Sequence, residues 1–212
     1  KYQAAENYKE LEAEIGKKLY DVKKRMLAAK TQEQYDALEA QQVQLVSEYL
    51  TQTRDSARNV AYRTMAAEYQ RELNAVADLP VVVTTARDIQ QTLIDDGASQ
   101  NTIDSVMRKV AEIERENILN GTNLVMAGLH NNGKAYIFVE GNPSVETAKV
   151  TYFHERQHDV NKRNPGVVDA VYDLHGGNRE ERMKALGAII GNTGAYTNSS
   201  ERTLADEIVA FT

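Results

Sequence analysis

Apolar residues recur every three or four positions at the start of the chain. Leu11, Ile15, Leu19, Val22 and Met26 form one such stripe, the periodicity of an amphipathic helix. Thr31 followed by Gln34 reads as a capping box that restarts a helix after a short break. Tyr35, Leu38, Leu45 and Tyr49, then Tyr62, Met65, Tyr69, Leu73 and Val76, supply a second stripe. A helix over about 32–77 would be roughly 70 Å long at 1.5 Å per residue. The pattern predicts a long antiparallel, coiled-coil-like hairpin over residues 1–79. This stretch holds one of the twelve glycines and none of the three prolines.

Leu79-Pro80 ends that texture. Val81-Val82-Val83-Thr84 is a β-branched run suited to a buried strand. Helices are expected over about 86–96 and 99–119, separated by Asp96-Gly97 and closed by Asn120-Gly121. Residues 124–129 and 134–140 read as two strands around a His130-Asn131-Asn132-Gly133 turn. Ser144 can cap a helix over about 145–162, and Asn164-Pro165-Gly166 ends it. Helices near 166–174 and 178–190 follow, then a Gly/Asn/Thr/Ser loop, and a last helix starts near Ser199. The expected architecture is α+β: residues 80–212 as a domain with a small sheet, preceded by the helical hairpin of 1–79 as a stalk or oligomerisation arm.

Composition narrows the chemistry. The chain has 212 residues and a net charge of −6, and its hairpin carries twelve basic against thirteen acidic residues. Neither supplies the basic stripe that nucleic acid needs. No apolar run reaches membrane-spanning length, and none resembles a signal peptide, so a soluble and cytoplasmic piece of a longer chain is expected. There is no cysteine, which excludes disulfides, thiol catalysis and thiolate metal sites. A metal would have to be held by carboxylates and the four histidines.

Two of those histidines stand four apart on a predicted helix, in Phe153-His154-Glu155-Arg156-Gln157-His158. That spacing puts both imidazoles on one face, one turn apart, where two ring nitrogens can reach one ion at about 2.0–2.1 Å. Glu155 between them can act as general base on a water. With four histidines and nineteen glutamates in the chain, chance would give this pattern in roughly one such sequence in two hundred.

His154-Glu155-Arg156-Gln157-His158 resembles the zinc-binding helix of the zincin metallopeptidases. The resemblance covers residues 80–212 and is similar to the small metallopeptidase modules of phage and mobile-element polyproteins. It implies a zincin-like fold, a bound zinc ion and peptide-bond hydrolysis, with Glu155 as base. It also implies that strand 134–140 lines the cleft and pairs with an extended peptide, which would be β-augmentation.

A catalytic zinc needs a third protein ligand and an open position. The branch with a further Gly and His downstream is disfavoured, because Asn161 and Asn164 occupy those places. The glutamate branch draws its ligand from a later helix. Glu207, in Glu207-Ile208-Val209-Ala210-Phe211, is favoured on its resemblance to toxin-like gluzincins. Glu201 is the alternative, although Asn198-Ser199-Ser200-Glu201 is a capping-box pattern in its own right. His175 or an aspartate remain open. Tyr196 is the candidate stabiliser of the oxyanion, Tyr152 is expected in the core, and His130 at the surface of a turn.

Two functions are expected from these readings. The first is a zinc-dependent peptidase, an endopeptidase before an exopeptidase, acting on peptide or protein substrates. The second is a structural or interaction module of a larger polyprotein, self-associating through the hairpin, with an inactive zincin-like domain. A metal-dependent hydrolase of a non-peptide bond is a third.

Overall fold

The computed structural model describes residues 2–174 and 201–211. Helix α1 (Tyr2–Leu27) and helix α2 (Gln32–Gln52) form an antiparallel pair. The Thr31 hydroxyl accepts from the Gln34 backbone N–H at 3.2 Å, and Gln34 Oε1 accepts from the Lys30 N–H at 3.0 Å. The cap is therefore reciprocal but reaches one residue further back than in the usual box.

The single helix expected over 32–77 is two helices. After α2 the chain turns at Thr53–Ser56, and α3 (Ala57–Asn74) starts under a Ser56 cap. Short polar side chains compete for the backbone at this point. The Thr53 hydroxyl donates to the Tyr49 carbonyl at 2.8 Å, and Asn59 Nδ2 donates to the Arg54 carbonyl at 2.8 Å. Asp88 locks the bend from outside, accepting from Arg54, Arg63, Asn59 and the Thr85 hydroxyl at 2.7–3.1 Å. Burial opposes the charge on Asp88, but the bonds from Arg63 and Arg54 outweigh it and hold the carboxyl well below its usual range.

The sheet has three strands in the order β1-β3-β2. Strand β1 (Val81–Thr84) runs parallel to β3 (Lys134–Phe138), and β2 (Gly128–Asn131) runs antiparallel to β3. Asn132 and Gly133 both take positive φ, 49° and 73°, as a two-residue type I′ turn between β2 and β3 requires. Between β1 and β2 lie α4 (Ile89–Asp95) and α5 (Gln100–Asn120). A 3₁₀ turn at Val139–Gly141 ends β3 before residue 140, and α6 (Val145–Arg163) then begins under a complete Ser144–Thr147 capping box. Helices α7 (Pro165–Leu174) and α8 (Glu201–Phe211) complete the described chain. The helix expected over 178–190 lies outside it.

Residues on the two faces of β3 belong to two cores. Tyr136 and Phe138 pack with Ile15, Leu19, Val46, Leu50 and the apolar side of α4 and α5. Ala135 and Ile137 pack with Tyr69 and Leu73 of α3 and with Ala148 and Tyr152 of α6. The first 79 residues thus straddle the sheet, α1 and α2 on one face and α3 on the other. The bend at 53–56 is what lets them do so. Tyr152 is core, as expected: its hydroxyl accepts from the Asp78 and Leu79 N–H groups at 2.9 Å and donates to Asp78 Oδ1 at 3.0 Å. Among the described residues, no helix is long and apolar enough to cross a membrane.

Candidate metal centre

Helix α6 turns Ala148, Tyr152 and Glu155 inward, which leaves His154 and His158 together on the face toward α8. Their rings meet edge to face with centroids 4.7 Å apart, and the two Nε2 atoms are 3.1 Å apart. Glu207 completes the group, with Oε2 3.2 Å from His154 Nε2 and Oε1 3.6 Å from His158 Nε2. One donor atom from each of the three lies within 4.8 Å of the others. A tetrahedral site with bonds of about 2.0–2.1 Å spaces its ligand atoms roughly 3.3–3.4 Å apart. The observed separations bracket that value, so His154, His158 and Glu207 could hold a metal ion.

Support comes from α8. Helix α8 packs on α7 through Leu204, Ala205 and Ile208 against Val168, which brings both Asp206 and Glu207 to α6. His158 Nδ1 is 2.8 Å from Asp206 Oδ2, and Asp206 Oδ1 accepts from Asn161 Nδ2 at 2.7 Å. A proton on Nδ1 shared with Asp206 leaves the Nε2 lone pair facing Glu207 and His154, the usual way a carboxylate orients a ligand histidine. Burial opposes charge on Asp206, but the bonds from His158 and Asn161 outweigh it and hold its pKa down.

Glu155 is not among the three. Its side chain is turned beneath β2 and only 7% of the residue is exposed. Burial raises its pKa, against the pull of His158 and His154. Gly128 makes this seat. A Cβ added there would lie 2.6 Å from Glu155 Oε1 and 2.5 Å from Thr151 Cγ2, closer than side chains pack.

The residues stand at a cleft of about 660 Å³, floored by α6 and walled by β2 and α8. Two expectations are corrected by its geometry. Strand β3 has β1 on one side and β2 on the other, so residues 134–140 offer no edge to a peptide. Among the described residues no strand pairs with the outer side of β2, which borders the cleft. The outer side of β1 is covered by Gln70, which donates to the Val81 carbonyl and accepts from the Val83 N–H. His130 is not on the surface of a turn. It lies on β2 with its side chain 9% exposed and Nε2 3.3 Å from Asp159 Oδ1, and it lines the same cleft.

His175 and Tyr196 lie outside the described residues, and so does the side chain of Glu201, which opens α8. The sequence reading missed Asp206, Asn161, Gly128 and Asp159. The only local signal was that Asp206 immediately precedes Glu207.

A second, more enclosed cavity of about 290 Å³ lies on the opposite face of β3, beside Phe138. Glu114 and Glu140 both line it, and burial raises the pKa of each. Comparison with protein-family models, with curated proteins and with solved structures finds no match.

Proposed function

We infer that the protein is a metal-dependent peptidase, with zinc the ion that two histidines and a carboxylate favour. The observation that carries the reading is the placement of Glu155: a buried carboxylate beside the His154–His158–Glu207 group, at the foot of a cleft bordered by the outer side of β2. The resemblance of residues 80–212 to zincins agrees with it. An ion held by the three residues would supply Lewis-acid polarisation of a carbonyl and would acidify a water. Glu155 is seated to take a proton from the attacking water and to return it to the leaving amine. The backbone of Gly128–Asn131 offers hydrogen bonds to an extended peptide. Asp206 and Asn161 hold His158 in one orientation throughout.

One observation favours the alternative of an interaction module with an idle site. Tyr20 and Leu27 on α1 are 65% and 83% exposed, two apolar side chains one heptad apart that a second helix could cover. The two readings separate cleanly. Zinc-loaded wild type should cut members of a randomised peptide pool, and Glu155→Gln should bind the metal equally but cut at least about 100-fold more slowly. Equal cleavage by both proteins would sink the mechanism, and metal binding with no cleavage by either would leave the interaction module.

A further inference from the structure

The cleft does not end at the metal centre. Past His130 it continues into a smaller pocket of about 240 Å³, and the two share Lys109, Leu129, His130 and Lys162 as common walls. Among the described residues no aspartate or glutamate lines this pocket. The acid standing behind its His130 wall is Asp159, with Oδ1 3.3 Å from Nε2. The pocket's other walls are Ser105, Val106, Asn131 and Asn132. In a chain where acidic residues outnumber basic ones 31 to 25, a surface recess bordered by two exposed lysines, whose nearby acid Asp159 is paired with Arg163, runs against the average.

The two lysines come from different helices. Lys162 lies four residues after His158, so it continues the His154–His158 face of α6 one turn further, about 6 Å along the axis. Lys109 reaches in from α5. Among the described residues neither ammonium lies within 4.0 Å of a carboxylate in an ion pair, whereas the neighbouring Arg163 is taken up by Asp159. A lysine in the last turn of α6 has an ordinary explanation in the helix dipole. Lys109 is an exposed residue on the polar face of α5, and what sets it apart is that it borders the same recess as Lys162.

We propose that this pocket is a specificity subsite for a carboxylate on the substrate, either an acidic side chain or a free C terminus. The proposal rests on the peptidase reading and names its substrate class. Residues in an extended chain advance about 3.3 Å each, so a carboxylate held one helical turn from His158 belongs within roughly two residues of the bond that is cut. Asn131, Asn132 and Ser105 add neutral donors around the two ammonium groups.

The test uses zinc-loaded protein and peptides matched except for Glu, Gln or Lys at each position flanking the cut, each with a free or an amidated C terminus. Wild type should prefer Glu over Gln by roughly fivefold to thirtyfold in kcat/KM at low salt. Lys109→Gln/Lys162→Gln should bring that ratio to about 1 without changing zinc content. A Glu-over-Gln preference that survives amidation assigns the pocket to a side chain, and a preference for free over amidated peptide that is the same for Glu and Gln assigns it to a C terminus. Rates that are equal for Glu and Gln peptides and also equal for free and amidated C termini would overturn the proposal.

Should no peptide be cut, the peptidase reading falls and the pocket is judged on binding alone. Then N-acetylglutamate amide and N-acetylglutamine amide are titrated against the backbone amide resonances of Leu129–Asn132. Shifts from the glutamate compound alone, lost in the double variant, would still support an anion subsite. The absence of such shifts would overturn it.

Discussion

The described chain holds two buried polar clusters of similar size, and they differ in what they lack. Around Asp88, a single carboxylate receives Arg54, Arg63, Asn59 and Thr85. Each oxygen of Asp88 has at least two donors, and Asp55 accepts from Arg63 at 3.2 Å. Two carboxylates thus face two guanidinium groups and protein alone completes the charge, with only Asn59 Oδ1 buried there without a hydrogen-bond partner. Around His154 and His158, two imidazole nitrogens and a carboxylate face one another at 3.1–3.6 Å. When deprotonated, these atoms present lone pairs to one point, where they could hold a metal ion. The first cluster is built to hold a bend, the second to hold something else. Packing confirms the division: the Asp88 group joins α3 to the β1–α4 turn, whereas the histidine group opens onto a cleft.

The sharpest way to test that contrast is to disturb the second site without touching its ligands. Gly128→Ala pushes a methyl group onto Glu155 Oε1 and Thr151 Cγ2. On the proposed peptidase reading, displacing Glu155 by about 1 Å should cost on the order of 100-fold in rate. Cleavage assays should show that loss, while zinc content by elemental analysis stays at the wild-type level.

Next in size is Asp88→Ala. Arg54 and Arg63 are partly exposed and can turn to water, so the loss should be about 2–3 kcal/mol, a fall in Tm of roughly 5–10 °C. Metal stoichiometry should not change. The pH dependence has a definite direction. Pairing holds the folded pKa of Asp88 below its unfolded value, so its contribution is present above about pH 4 and drains away as pH falls further. Thermal melts of Asp88→Asn should lose part of this acid sensitivity.

The finished cluster was less legible in the sequence than the unfinished one. The His154–Glu155–His158 spacing is local, and one turn of helix fixes its geometry. The caps at Thr31 and Ser144 are equally local and stand in the structure, whereas the turn expected over 130–133 tightens to Asn132-Gly133 and the strand expected over 124–129 shifts to Gly128–Asn131. The bend at 53–56 has no glycine or proline to announce it. Its cause is Asp88, 34 residues from Arg54, and no local pattern shows that pairing. Strand order is non-local too, which is why β3 read as an edge when it is the centre, and why His130 on β2 read as surface. Glu207 could be ranked from the sequence, but Asp206 becomes visible only when α8 is docked on α6.

Smaller effects sharpen the comparison. Asp206→Asn keeps a side chain of the same shape at His158 but removes its charge. Zinc affinity should fall about tenfold or more, read by competition with a chelator, with one ion per chain still bound at saturation. The smallest effect belongs to the opposite face of the sheet. Burial raises Glu140 above its ordinary value of 4.5, so its contribution is fully present below that pH and declines as pH rises through the folded value. Glu140→Gln should therefore raise Tm by on the order of 2 °C at pH 8 and leave it unchanged at pH 4.

The most direct measurement is metal content and thermal stability together, for wild type and His158→Ala, each stripped with chelator and then returned to zinc. Wild type should recover about one zinc per chain, and free zinc at about 1,000 times Kd should add about 4 kcal/mol of stability. His158→Ala should recover neither. Equal zinc content in the two proteins, or no zinc and no shift in wild type, would contradict the assignment of His154, His158 and Glu207 as a metal centre.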